Sequence, residues 1–182
     1  KWLSFVLFRP GIAPGILLLL YSHKHGAGKD TFLTFIWRYV IGSEMAKEFT
    51  SMKDLLEKHN GWQGRCKMAS ITDLGATKEA WAANFTELNG KITATIANIN
   101  PKGLGQYNID NIMAYVASTN HMGAMIVSES DRRIFAVAVN QSKIGNTQYW
   151  DAKYDQYMNK RGGDIFYTYM RKNYGLDSEN PP

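Results

Sequence analysis

The apolar run at 15–20, GILLLL, leads through Tyr21 into SHKHGAGKDTF, and this stretch constrains the fold more than any other. Its consecutive aliphatic residues show neither alternation nor helical period, the pattern of a strand covered on both faces. Such a strand needs helices above and below it, so the chain must be layered α/β. Glycines at 26 and 28 then turn the chain. Phe32, Phe35, Ile36 and Tyr39 follow at helical spacing up to a stop at Gly42.

The same logic runs downstream. CKMASIT reads as a second buried strand ending at Asp73, and a helix follows through TKEAWAANFTELNGK. TATIANIN and QYNID flank PKGLG and predict a β-hairpin. IMAYVAST is a third buried strand ending at Asn120, and DRRIFAVAV a fourth. Trp2 to Phe8 predicts the end of a helix closed by RPGIAPG, and SMKDLLEKHNG a short helix opened by Ser51. The tail, YWDAKYDQYMNK and DIFYTYMRKNYG, is helical and aromatic. Its rings could stack on bases, but their helical spacing favours packing against the sheet or a neighbouring subunit.

Composition narrows the class. A chain of 182 residues with 45% hydrophobic and 20% charged residues suits one globular domain with small additions. The net charge of +5 favours an acidic partner such as nucleic acid, modestly. A lone Cys66 excludes an intrachain disulfide, suits a reducing compartment, and reads as a buried small hydrophobe. The four histidines show no metal-ligand spacing with it. Arg9, Pro10 and Pro14 cut the apolar N-terminal stretch into pieces too short to span a membrane. The chain starts at Lys1 and enters an apolar segment at once, which leads us to expect a piece of a longer protein.

Strand, glycine-rich turn and helix together form the context of a phosphate-binding loop. There, converging backbone N–H groups and the helix N-terminus meet the anion, and a lysine reaches the β- and γ-phosphates. His25, Gly26, Ala27, Gly28, Lys29, Asp30 and Thr31 are the candidate nucleotide-binding residues. His23 stands where the first glycine of such a loop is expected, and Asp30 where a magnesium-binding Ser or Thr is expected. A glycine-rich turn without ligand is the plain alternative. Each downstream feature has one too: Asp73 as a helix cap, Asn120 as a turn residue, and Arg132 and Arg133 as a solvated or ion-paired surface pair.

Taken in order, these elements resemble superfamily 3 helicases, the AAA+ ATPases of phage, plasmid and viral primase-helicases. The matching stretches are GILLLLYSHKHGAGKDTF (Walker A), MASITDL (Walker B region), LNGKIT…NPKG (hairpin), VASTN (sensor) and DRR (arginine finger). The resemblance covers nearly the whole chain. It implies an AAA+ P-loop core at 15–140, with the end of an N-terminal helical segment at 1–14 and a helical extension at 141–182. It implies ATP and Mg²⁺ as cofactors, and a ring, usually a hexamer, around single-stranded DNA. It also implies a primase or primase-polymerase domain upstream, and a location in the cytoplasm, the host's if the protein is phage- or virus-encoded. By the same resemblance Lys29, Asp73, Asn120, Arg132 and Arg133 are catalytic, an arginine acting in trans on a neighbour's nucleotide. Lys102, on the hairpin, touches DNA, although without the family it would read as a solvated turn lysine.

One departure is chemical. The family's Walker B strand ends in two acids, whereas Thr72-Asp73 offers one. Magnesium at such sites takes one or two protein oxygens beside phosphates and water. The expectation is therefore that Asp30 supplies the missing carboxylate, with Asp30 and Asp73 as the metal ligands. Alternatively Asp30 faces away, and the Thr31 hydroxyl or a water serves the ion. Two further readings remain open. One is a degenerate ATPase module kept for oligomerisation or DNA binding, and the other is a nucleotide kinase or other P-loop transferase.

Overall fold

In a computed structural model, residues 1–72, 74, 78–121 and 131–175 are described. The order of elements is α1 (Trp2–Phe8), β1 (Leu17–Tyr21), α2 (Lys29–Phe35), β2 (Ala46–Phe49), α3 (Met52–Leu55), β3 (Met68–Ile71), α4 (Lys78–Thr93), β4 (Ile96–Ile99), β5 (Tyr107–Asp110), β6 (Ala114–Thr119), β7 (Ile134–Ala138), α5 (Thr147–Tyr157) and α6 (Lys160–Tyr174). Five strands form one parallel sheet in the order β2-β3-β6-β1-β7. β4 and β5 form a separate antiparallel hairpin.

The expected strand at 16–21 is there, and its burial explains its composition. Leu17 and Leu19 join one core with Ile71, Tyr115 and Ala117, against Trp81, Leu88 and Ile92 of α4. Leu18 and Leu20 join a second core with Met68 and Val116, against Leu33 of α2 and Trp2 and Val6 of α1. Successive residues of a strand point to opposite faces, so only a continuous apolar run serves both cores. Each buried Leu contributes about 1.5–3 kcal/mol.

Three expectations need correction. β2, AKEF, is an additional strand at the sheet edge, and only Phe49 in it is buried. The helix expected to run from Ser51 towards Asn60 is a single turn, Met52–Leu55, capped by the Ser51 hydroxyl. It ends early because Asn60 is committed elsewhere. Its side chain donates to the Asn98 carbonyl at 2.8 Å and accepts the Asn100 N–H at 2.7 Å, clamping the hairpin. Finally, the aromatic tail packs largely on helices rather than on the sheet. Phe166 meets Phe35 edge-on at 5.5 Å, and Tyr167 meets Phe8 at 5.4 Å.

α2 runs directly into Ile36–Gly42, wound as a wider π-helix, and ends at Gly42 as the sequence predicts. Cys66 is buried and free. Among the described residues no helix is long and apolar enough to cross a membrane.

Candidate functional site

The strands become polar at their carboxyl ends. Ser22 follows β1, Ser118 and Thr119 close β6, and Ser70 lies near the end of β3; all are buried. In open parallel sheets ligands bind at this edge. The loop between β1 and α2 reaches it through Gly26 and Gly28, with φ of +77° and +85°. An L side chain resists those angles, which is why glycine stands at both positions.

Lys29 opens α2, yet only 5% of it is exposed. Its Nζ donates to the Ser22 hydroxyl at 2.7 Å and to Asn120 Oδ1 at 2.6 Å. Burial pushes its pKa down, and the nearby Asp30 charge opposes that shift in part. Both described acceptors are neutral. Asn120 Nδ2 in turn donates to His25 Nδ1 at 3.0 Å. The loop, the first residue of its helix and the end of β6 thus form one network.

Asp30 reaches the neighbouring strand ends. Its Oδ1 accepts the Ser118 hydroxyl at 2.6 Å, and that hydroxyl also lies 3.2 Å from the Thr72 carbonyl. Glu48, beside Ser70 in the β2–β3 register, has its carboxyl pushed up by desolvation and then by the Asp30 charge. Thr31 shares a 3.1 Å hydrogen bond with the Tyr154 hydroxyl of α5. On the same side the Trp150 indole edge lies so close to Gly28 that a β-carbon there would collide with it.

Of the residues singled out from sequence, His25, Gly26, Ala27, Gly28, Lys29, Asp30, Thr31 and Asn120 gather at one end of the sheet. Asp73 lies outside the described residues. Arg132 and Arg133 precede β7, which runs parallel to β1 with Ile134 beside Leu17. They therefore sit at the opposite end of the sheet, about 16 Å from the loop for a five-residue strand. Arg133 is tied to Asp131 at 3.5 Å, whereas Arg132 is exposed. Lys102 is exposed on the hairpin turn beside Gly103, whose φ is +78°.

Ser22, Ser118, Glu48, Trp150 and Tyr154 were not singled out for this site from sequence. The serines carry no pattern of their own, and the aromatic pair is brought in by chain folding from more than 100 positions away. Among the described residues no group of three or more His, Cys, Asp or Glu could hold a metal ion. Oxygen donors at this end of the sheet include the Asp30 carboxylate and the Thr31 and Ser118 hydroxyls. Such hard oxygens suit magnesium when phosphates complete the shell.

Residues 20–133 match the model of a family of unknown function, DUF5906. The chain belongs to that family. No curated protein matches it. Among solved structures it is similar to the C-terminal region of NrS-1. The A-form apo structure of that region gives a TM-score of 0.76 at 18% identity, over 96% of this chain and 40% of that one. A second A-form apo structure, of residues 305–718, gives 0.72 at 18% identity, over 93% and 38%. A further apo structure of the same region gives 0.70 at 15% identity, over 98% and 40%. The chain thus spans about 40% of the length of these neighbours, and at such identities the likeness is one of fold.

Proposed function

We propose that this domain binds ATP with magnesium on the loop at 22–31. It hydrolyses ATP between subunits of a ring and drives translocation on single-stranded DNA, as the superfamily 3 helicase motor of a longer replication protein. The observation that carries this reading is Lys29. A buried ammonium whose two described hydrogen-bond acceptors are neutral is costly, because charge is poorly stabilised away from water and Asp30 offsets that cost only in part. A phosphate at the loop supplies the missing anion, and the left-handed glycines let loop amides approach it.

The remaining residues take roles consistent with their positions. Asn120 holds Lys29 and senses the γ-phosphate. Asp30, fixed by Ser118 beside Thr72, offers its carboxylate to magnesium from the α2 side, and Asp73 completes the acid set. Magnesium, when bound, neutralises charge on the β- and γ-phosphates. Arg132 and Arg133 stand too far from their own loop to serve it, so they suit a neighbour's nucleotide, and Arg132 is the freer of the two. Lys102, on an exposed turn, suits a DNA phosphate. The strand order also supports the reading, since β6 with Asn120 lies between the loop strand β1 and β3.

The test is binding of ATP with magnesium to the 182-residue chain and to its Lys29→Ala variant, with particle size followed with and without nucleotide and single-stranded DNA. Binding lost in Lys29→Ala, together with a ring that forms only with ligands, is the expected result. Equal binding by both chains would sink the reading. A second reading rests on Thr72, which stands where an acid is expected: a module that binds nucleotide for assembly without turning it over. Binding and ring formation without hydrolysis, in the presence of DNA, would select it.

A further inference from the structure

A cavity of about 590 Å³ opens beside the loop, between α2 and the two C-terminal helices. Gly28, Thr31 and Phe35 form one wall, and Trp150, Tyr154 and Tyr157 the facing one. Its volume falls in the range of small-molecule sites. It is continuous with the glycine turn, because Trp150 abuts Gly28 and Tyr154 is bonded to Thr31.

We propose that this cavity takes the base of the nucleotide whose phosphates sit on the loop, and that it selects by stacking area, favouring purines without separating adenine from guanine. The proposal rests on the nucleotide reading above. Aromatic walls stack on the π-face of any base, and a purine offers more of it than a pyrimidine. To tell adenine from guanine, a site needs fixed donors and acceptors at the purine 6-position, and here those groups are already engaged. Trp150 Nε1 donates to the Lys143 carbonyl at 2.9 Å, and the Tyr154 hydroxyl is shared with Thr31 at 3.1 Å. The Tyr169 ring packs edge-on against Tyr174, with centroids 6.2 Å apart. Lys153, with its Nζ 4.9 Å from the Tyr157 ring centre and 5.5 Å from that of Tyr149, can only donate. N7, an acceptor common to both purines, would satisfy it equally. The hydroxyls of Tyr149 and Tyr157 rotate to suit either a 6-amino or a 6-oxo group.

The experiment is calorimetric titration of the 182-residue chain with ATP, GTP, CTP, inorganic tripolyphosphate and adenosine. It is repeated on Trp150→Ala, Trp150→Phe and Lys29→Ala. We expect ATP and GTP to agree within about threefold, with CTP and tripolyphosphate about tenfold weaker or more. Trp150→Ala should bring ATP down to the tripolyphosphate level while tripolyphosphate itself is unchanged. Trp150→Phe, which keeps a stacking ring and so guards against misfolding, should retain most of the ATP affinity. ATP no tighter than tripolyphosphate, or unaffected by Trp150→Ala, overturns the pocket and leaves the phosphate loop standing. A preference for ATP over GTP of about thirtyfold or more overturns the selection by area. If neither triphosphate nor tripolyphosphate binds, or Lys29→Ala binds both unchanged, the nucleotide reading fails, and adenosine decides the cavity. Adenosine binding lost in Trp150→Ala keeps the base site, and no adenosine binding removes it.

Discussion

The Asp30 carboxylate accepts the Ser118 hydroxyl at 2.6 Å, bringing an acid from the head of α2 to the strand end where Thr72 stands. These residues are 88 positions apart, and the bond joins the loop helix to β6 and, through the Thr72 carbonyl, to β3. On the proposed chemistry, this carboxylate occupies from one side the place that a strand-borne acid would occupy from the other. Without magnesium it should repel a triphosphate; with the ion between them it should attract one. Asp30→Ser is expected to lose most of the magnesium dependence of ATP binding, about tenfold in affinity. Thr72→Asp in that background should restore it. Titration of the single and double variants with ATP, with and without magnesium, measures this. A double variant no better than Asp30→Ser would end the idea of exchange.

Asn120→Asp probes Lys29 from the other direction. Asn120 Oδ1 lies 2.6 Å from the ammonium as a neutral acceptor. A carboxylate there gives Lys29 its own anion and places a second negative charge against the incoming phosphates. ATP affinity should fall about 10- to 100-fold, while the ligand-free chain melts at an equal or higher temperature. An unchanged affinity would show that Lys29 is not the phosphate ligand.

How much of this was legible follows from which interactions are local. β1, the loop and α2 are contiguous, so apolar run, glycines and helical period could be read together. β2 could not, because Ala46–Phe49 is a short edge strand in which the charged Lys47 and Glu48 leave no apolar run. The helix after Ser51 was overextended because its expected end, Asn60, bonds to the hairpin 38 and 40 residues away. Lys29 and Asn120 were legible as motif members. Ser118 was not, since a serine at a strand end is common and only the fold shows that Asp30 comes to it. The cavity was least legible of all: its rings read as ordinary helix packing, and only the return of α5 over Gly28 makes them part of a site.

Gly163 fixes how closely α6 approaches the π-helical segment after α2. A β-carbon there would collide with the Tyr39 carbonyl, a backbone atom that cannot swing aside. Gly163→Ala should therefore push α6 away and destabilise the chain by about 2–3 kcal/mol, despite alanine's better helix propensity. Gly90 in α4 is the control, since nothing lies within 4 Å of its would-be β-carbon. Gly90→Ala should stabilise by about 0.5–1 kcal/mol. Urea unfolding of the two variants should move the midpoint in opposite directions. A neutral Gly163→Ala would mean that α6 is not seated on Tyr39.

At the other end of the sheet, Lys67 is 2% exposed, and its Nζ donates to the carbonyls of Ile12 at 2.9 Å and Ile112 at 2.7 Å. Removal from water pushes its pKa down to about 8. In the unfolded chain it returns to about 10.4. Between these values the unfolded chain holds a proton that the folded chain has released, so stability rises with pH across that window. The cost of burying the charge is fully present below about pH 8 and is relieved as pH climbs towards 10.4, at no more than about 1.4 kcal/mol per unit. Wild type should therefore gain stability relative to Lys67→Met between about pH 7.5 and 9.5, with groups common to both chains cancelling in the difference. Denaturant midpoints across that range measure it. A flat difference would show that the two carbonyls keep Lys67 protonated throughout.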